Sequence, residues 1–289
     1  MTARSLLAYV NGAFVPADQP VISAHDYGFL YGDGVFEGIR VYDGRPFKLP
    51  EHLRRLIDSQ RIVGLRATRT VAELSNIVQE TCAANQRAIS YLRLTVTRGP
   101  GPIALDPTAP HQPTIVCLPA EMVPFPPSVL QHGLRVIVAA TRRTSPSALS
   151  PRAKTLNYLN NAMAKLEALH RGAGDALMLG DHGFVTEASS SNVFVLSNGA
   201  LRTPPPSAGI LLGITRDVIL SLAHDLGVPA KEEMLTRDDL YTADECFLTG
   251  TASEIVPVIE IDSRPVGPGA PGPLTGRLAG LYRELTRSS

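Results

Sequence analysis

Alternating runs and helical repeats share the chain from its start. AYVNGAFV sets strand-like segments on either side of Asn11-Gly12, and GIRVYDGRPFKL does the same around Asp43-Gly44. Such dipeptides accept the positive φ angles of a two-residue turn, so two antiparallel hairpins are expected. Pro50 suits the first turn of a helix through EHLRRLIDSQRIV, and VAELSNIVQETCAA carries a second helical repeat. ISYLRLTVTR and PTIVCL read as strands. Past the proline-rich PAEMVPFPPS come a strand LRVIVAA, a helix, and strands at ALMLG, FVTE and VFVLS with an Asn198-Gly199 turn. A helix ITRDVILSLAHDLG and strands ECFLTG and IVPVIEID follow, and PVGPGAPGPLTG reads as a loop before a last helix. No internal repeat is found. The pattern is mixed α+β, with a small N-terminal domain over 1–118, a linker over 119–129 and a larger C-terminal domain over 130–289.

One helix carries a local inconsistency. In AKTLNYLNNAMAKLEA and beyond, Leu156, Leu159, Met163, Leu166 and Leu169 recur at three- and four-residue steps, lining up one apolar face, with Gly172 at the C-cap. Lys154 stands just before the first turn, where the positive end of the helix dipole disfavours a cation. A solvated lysine is the ordinary reading of such a residue. Only other residues in the chain can change it.

Composition narrows the classes of function. With 289 residues and 44% hydrophobic content the chain can bury a large core. Its 27 basic and 27 acidic residues balance, so no overall field recruits nucleic acid or an anionic membrane, and function must come from a local site. Cys82, Cys117 and Cys246 form no CxxC pair, which suggests neither a disulfide framework nor a zinc site and fits a reducing compartment. The apolar run Leu6 to Val10 is too brief for a signal-peptide core and no run approaches a membrane helix; a cytoplasmic protein is expected.

Several templates for chemistry fail. In YGDGVFEG the spacing of Gly32, Gly34 and Gly38 does not fit a dinucleotide fingerprint, and strand residues follow it. GxxxxGK[ST], HExxH and GxSxG are missing from the sequence. Two phosphate-seeking turns remain. Gly213 precedes Ile214 and Thr215 at a helix start set by Val218, Ile219, Leu222 and Leu226, where free amides attract anions. In LTGTASE, Gly250, Thr251 and Ala252 follow a strand and expose amides and a hydroxyl.

Together with these turns, YGDGVFEGIRVY, EHLRRL, YLRLTVTRG, AKTLNYLNN, GFVTEASSSNVF, LGITRDVI, LYTADECFLTGTASEI and PGPLT run through most of the chain. In these segments the sequence resembles the fold-type IV pyridoxal-phosphate aminotransferases. VFEGIR, KTLNYLNN and FLTGTASEI are most similar to the branched-chain amino acid aminotransferases. The resemblance implies a two-domain fold whose larger domain has a mixed, barrel-like sheet. It implies pyridoxal 5'-phosphate held covalently by Lys154, with Glu187 facing the pyridine nitrogen and Tyr158 near the ring oxygen. Arg55 matches the phosphate-binding arginine, with Ile214, Thr215, Gly250 and Thr251 completing the cup. Tyr31, Phe36, Arg40, Tyr91, Arg93, Thr251 and Ala252 match positions around the substrate. Lysine suits such a role because its amine can lose its proton and act as a nucleophile, whereas arginine stays charged.

The implied reaction exchanges the amino group of an aliphatic, branched-chain L-amino acid with 2-oxoglutarate. EASSSN departs from a glycine-containing EGxxxN pattern and is closer to D-amino acid aminotransferases, so stereochemistry stays open. Aminodeoxychorismate lyase, which shares the lysine and the cofactor cup, is a further alternative. The resemblance also implies a homodimer, or a larger assembly of dimers, in which PGPIALDP and the Tyr31 region complete the partner's site.

Overall fold

Asn11 and Gly12 take φ angles of 48° and 102°. They reverse the chain between β1 (Leu7–Val10) and β2 (Ala13–Pro16), as the hairpin signal requires. The computed structural model describes residues 6–85, 89–108, 112–122 and 125–288. The described residues form two units. One takes those within Met1–Met122 together with Ala153–Asn157; the other takes those within Val123–Arg152 and Tyr158–Ser288.

In the first unit, the short helix α1 (Tyr27–Tyr31) precedes β3 (Gly34–Tyr42), which turns at Asp43-Gly44 into β4 (Arg45–Pro46). Helices α2 (Leu49–Ile62) and α3 (Val71–Asn85) follow, then β5 (Tyr91–Thr97) and β6 (Ile115–Ala120). The strands form one antiparallel sheet in the order β2-β1-β6-β5-β3-β4. Strand side chains alternate between faces, and the register pairs Phe36 with Thr95, Gly38 with Arg93 and Arg40 with Tyr91. Val35, Ile39, Leu92, Leu94 and Val96 therefore share the other face, where they join a core with Leu53 and Leu56 of α2 and Leu74 and Val78 of α3.

The second unit contains α4 (Pro127–His132), β7 (Leu134–Val138), α5 (Leu159–His170), β8 (Asp175–Leu179), β9 (Val185–Ala188), β10 (Asn192–Ser197) and β11 (Ala200–Thr203). It continues with α6 (Ile214–Asp225), β12 (Ala230–Glu232), α7 (Arg237–Tyr241), β13 (Glu245–Gly250), β14 (Glu254–Ile261), β15 (Arg264–Pro265) and α8 (Pro273–Ser288). The sheet runs β12-β11-β10-β13-β14-β7-β8-β9, with β15 on β14, and mixes parallel with antiparallel pairs.

Its curvature follows from connectivity. From β10 to β9 the path takes five strand steps, about 24 Å if the sheet were flat. Yet Ala188 and Asn192 are four residues apart and span at most about 14 Å. The Ala188 N–H donates to Ser191 O at 2.7 Å across this short connection. The sheet must curl until its two ends approach, which gives a half-barrel, as the resemblance implies.

Three local readings change. Residues 153–157 are not the lead-in of a helix. Thr155 bridges Val35, Phe36 N–H donates to Lys154 O at 2.9 Å and Leu156 N–H to Gly34 O at 2.9 Å, so this segment extends the first unit's sheet beside β3. The apolar repeat on α5 does not face the core. Leu159 is 76% exposed and Met163, Leu166 and Leu169 are exposed with it, while Ala164 and Ala168 pack on Ala176 and Met178. Small residues let a helix lie close to a sheet, and that close packing decided the buried face. Within 119–129, Pro119 and Ala120 end β6 and Pro127 begins α4, so regular structure enters the expected linker from both sides; residues 123 and 124 lie outside the described residues. Among the described residues no helix is long and apolar enough to cross a membrane.

Candidate active site

The outer face of β3 and β5 gathers most of the substrate positions expected in the first unit. Because Thr155 faces the same side as its bridge partner Val35, Lys154 faces the opposite side with Phe36. Lys154 Nζ lies 4.9 Å from the Phe36 ring centroid, and the Arg93 guanidinium lies over the same ring at 3.6 Å. Tyr91 and Arg40 are neighbours on this face, and a Cβ at Gly38 would overlap Tyr91 Oη. Gly38 is thus the space in which the Tyr91 phenol lies. Tyr31 ends α1, edge-to-face with Tyr27 at 5.0 Å.

Behind the sheet, α2 presents a polar stripe at helical spacing. Glu37, wholly buried, accepts from Arg55 Nε at 2.6 Å, from Arg55 Nη2 at 2.8 Å and from His52 Nδ1 at 2.7 Å. One turn further on, the Ser59 hydroxyl accepts the Lys154 backbone N–H at 3.0 Å. Burial by itself would raise the Glu37 pKa. The Arg55 charge, then His52, outweighs it and holds the carboxyl well below the usual range. For His52, burial depresses the pKa against the pull of Glu37, so the ring is neutral and Nδ1 carries the proton it donates. Sequence reading singled out Arg55 and missed Glu37, His52 and Ser59. The spacing 52, 55, 59 on α2 is a helical stripe. Only the fold shows that it lies over Glu37 and Lys154.

In the second unit, Glu187 is fixed by three donors. Arg143 Nε reaches Oε1 at 3.0 Å; Leu211 N–H and Asn192 Nδ2 reach Oε2 at 3.0 and 3.3 Å. Asn192 Nδ2 also donates to Leu211 O at 2.9 Å. Arg143 is held in turn by Asn161 Oδ1 at 3.4 Å, whose Nδ2 donates to Ser189 O at 2.8 Å. Asn160 clasps the same loop, accepting from Thr144 N–H and donating to Arg142 O. Tyr158 is the N-cap residue of α5. Asn160, Asn161 and Arg143 were not expected as site residues.

Asn192 draws the two phosphate-seeking turns together. A Cβ at Gly213, the N-cap of α6, would collide with Asn192 Oδ1, so only glycine lets the helix start approach. Asn192 also pairs with Thr249 on β13, which places the Gly250–Thr251–Ala252 turn beside it. Ile214 and Thr215 are buried at the start of α6, and no side chain caps that end. The buried Thr249 hydroxyl has no hydrogen-bond partner among the described residues. A carboxyl group fixed by Arg143, Leu211 and Asn192 beside a helix start and a strand-end turn suits a group with a protonated ring nitrogen and a phosphate. The departure EASSSN is accommodated without strain: Ala188 is buried in β9 opposite Leu177 and needs no positive φ.

Comparison with known proteins supports the same family. The amino-transferase class IV model matches residues 34–261. A putative branched-chain-amino-acid aminotransferase of Methanocaldococcus jannaschii is 45% identical over 277 residues, covering 96% of this chain and 95% of that protein. A D-alanine aminotransferase of Bacillus licheniformis is 37% identical over 265 residues, covering 92% of each. The solved branched-chain aminotransferase of Thermoproteus uzoniensis with norvaline superposes with a TM-score of 0.90 at 37% identity, covering 98% of this chain and 95% of that one. The T.th. branched-chain amino acid aminotransferase complexed with N-(5'-phosphopyridoxyl)-L-glutamate gives a TM-score of 0.91 at 34% identity, over 98% and 94% of the two chains. With a family match that runs from the start of β3 to the end of β14 and relatives alike over nearly their whole length, the chain belongs to the class IV aminotransferases, and its chemistry is transamination.

Proposed function

We propose that this enzyme uses pyridoxal 5'-phosphate to exchange the amino group of an aliphatic, branched-chain L-amino acid with 2-oxoglutarate. The observation that carries the reading is the shared face of Lys154, Phe36, Tyr91 and Arg93, which sets an amine beside aromatic surface and a guanidinium. The Phe36 ring suits an aliphatic side chain, and Arg93 or Arg40 suits the second carboxylate of glutamate. The norvaline and phosphopyridoxyl-glutamate complexes of the two similar enzymes support both halves of that assignment.

When bound, the cofactor supplies an electron sink for the pair left as the substrate's Cα proton departs. The chain's own groups do the rest. Lys154 would hold the cofactor through Nζ, and the same nitrogen would move the proton from the substrate's Cα. Its backbone, tied to Ser59 and β3, fixes where that nitrogen can reach. Glu187, fixed by Arg143, Leu211 and Asn192, would face the ring nitrogen and favour its protonated form, and Tyr158 would donate to the ring oxygen. The amides of Ile214, Thr215 and Thr251 would take the phosphate with Gly250 allowing close approach, and Thr251-Ala252 would also face substrate. Arg55 turns its Nε–Nη2 edge to Glu37, so any contact with the phosphate would come from the Nη1 side.

We also infer a homodimer. Phe29 of α1 and Ile103 and Leu105 of PGPIALDP are large apolar residues left exposed, and the Tyr27 hydroxyl ties α1 to that loop through Pro102 O and Ala104 O. A second copy covering them would explain apolar side chains held in water. The exposed stripe on α5 offers a further surface for larger assembly.

The deciding experiment is the visible spectrum of the cofactor-loaded enzyme after adding L-leucine or D-alanine without any oxo acid. Bleaching by L-leucine alone supports the proposal. Bleaching by D-alanine alone would move the enzyme to the D-amino acid group, which the D-alanine aminotransferase relative supports.

A further inference from the structure

Outside the catalytic machinery, the second unit holds a groove of about 600 Å³ lined by residues of β7, the α5–β8 loop, α7 and the β14–β15 hairpin. Four arginines line it: Arg135, Arg171, Arg237 and Arg264. All four are exposed, and among the described residues none lies within ion-pair distance of a carboxylate. Several arginines elsewhere in the chain do have such partners, among them Arg55 with Glu37, Arg98 with Asp33, Arg143 with Glu187, Arg202 with Glu233 and Arg216 with Glu232.

The acids in the groove do not offset this charge. Glu260 and Asp262 line it, but both Asp262 oxygens are engaged, Oδ1 by the Val138 N–H at 3.0 Å and Oδ2 by the Tyr241 hydroxyl at 2.7 Å. Glu167 stands at the rim, accepting from the Ala140 and Thr141 N–H groups at 2.7 and 2.9 Å near Arg171, so four guanidiniums against three carboxylates leave a net positive groove. Two of the arginines are also positioned. Arg264 lies 4.5 Å over the Tyr241 ring and donates to Asp262 O at 3.3 Å, while Arg135 donates to Gly172 O at 3.3 Å. Asp262 and Ser263, at φ 50° and 62°, set the tight hairpin turn that presents Arg264.

We propose that this groove binds a small phosphate compound carrying two or more negative charges. The arginines line the groove from four separate chain segments, so their donors can meet one ligand from different directions. A tetrahedral phosphate presents oxygens in such directions, whereas one planar carboxylate matches one fork at a time. The volume falls in the range of small-molecule sites and exceeds what a lone phosphate fills, leaving room for an organic body. The inference does not depend on the proposed cofactor or substrate.

The test is calorimetric titration of inorganic pyrophosphate into the chain in a phosphate-free buffer, with and without prior loading of pyridoxal 5'-phosphate. Malonate serves as the planar comparison. Saturable binding of one pyrophosphate per loaded chain is expected, tighter than malonate. Arg237→Gln with Arg264→Gln should weaken it about ten-fold or more, as befits two lost charge-assisted contacts. Both side chains are exposed, so the variant should fold and transaminate as before. Arg135→Gln gives a second, independent loss. No saturable binding, binding undiminished in both variants, or binding seen only without cofactor would each overturn the site. Tighter binding of malonate would overturn its assignment to phosphate.

Discussion

Replacing Glu37 by Gln removes one charge and almost no volume from a wholly buried position. The native carboxylate accepts three hydrogen bonds, two from Arg55 and one from His52. The glutamine carbonyl can keep one of them, and its amide hydrogens then point at remaining donors. Each lost charge-assisted bond is worth ~1.5–3 kcal/mol, and breaking a buried ion pair by removing one partner costs ~3–5 kcal/mol. Against a stability of ~5–15 kcal/mol this is a large fraction. It corresponds to a fall in Tm of roughly 10 °C for a unit of this size. Circular dichroism melts of wild type and Glu37→Gln near neutral pH measure it, with equilibrium dialysis of the cofactor on the same samples. Cofactor affinity should fall as well, because Arg55 loses the partner that orients it. A neutral, apolar pair, Glu37→Leu with Arg55→Met, should recover most of the stability and none of the affinity. A melt of Glu37→Gln within about 2 °C of wild type would refute the argument that this pair is desolvated and mutually dependent.

The same network makes the fold acid-sensitive. Both Glu37 and His52 have depressed folded pKa values, so each binds protons more readily when unfolded. The His52 contribution is complete above about pH 6.5 and declines below it; the Glu37 contribution declines from about pH 4.3 downward. Denaturant melts from pH 8 to 4 should show stability falling with acidity, and His52→Gln should flatten the upper part of that fall. Gly38→Ala places a methyl where the Tyr91 hydroxyl lies. The phenol is the mobile end of its side chain, so the fold should survive while kcat/KM for the amino acid drops about ten-fold, ~1.4 kcal/mol, in steady-state kinetics. Burial pushes the Cys82 thiol up to about 11 and those of Cys117 and Cys246 up to about 12. A thiol-reactive chromophore at pH 8 should label none of them in the native enzyme and all three in guanidinium; rapid native labelling would contradict their burial.

Much of this molecule was legible in local chemistry. Asn11-Gly12, Asp43-Gly44 and Asn198-Gly199 turn where they stand because those residues adopt positive φ without help from neighbours. β13 falls on ECFLTG, and α6 starts at Ile214 after a glycine that the close approach of Asn192 demands. The motifs around Lys154, Glu187 and the two turns carried the family and the cofactor class. What they could not carry was assembly. Periodicity marked a common face on α5 but not which side is covered, and the alanines won because their smallness lets the helix lie on β8. Lys154 reads as the lead-in to a helix, yet its backbone bonds to β3 and to Ser59, 95 residues away. Glu37 reads as one strand residue among nine, and its burial between Arg55 and His52 exists only once α2 crosses the sheet. The arginine groove likewise needs four segments brought side by side. Turns, strands and helices follow from short-range sterics and spacing, which any stretch of chain carries with it. Which faces are buried, and which distant charges meet, depends on close packing that no local window contains.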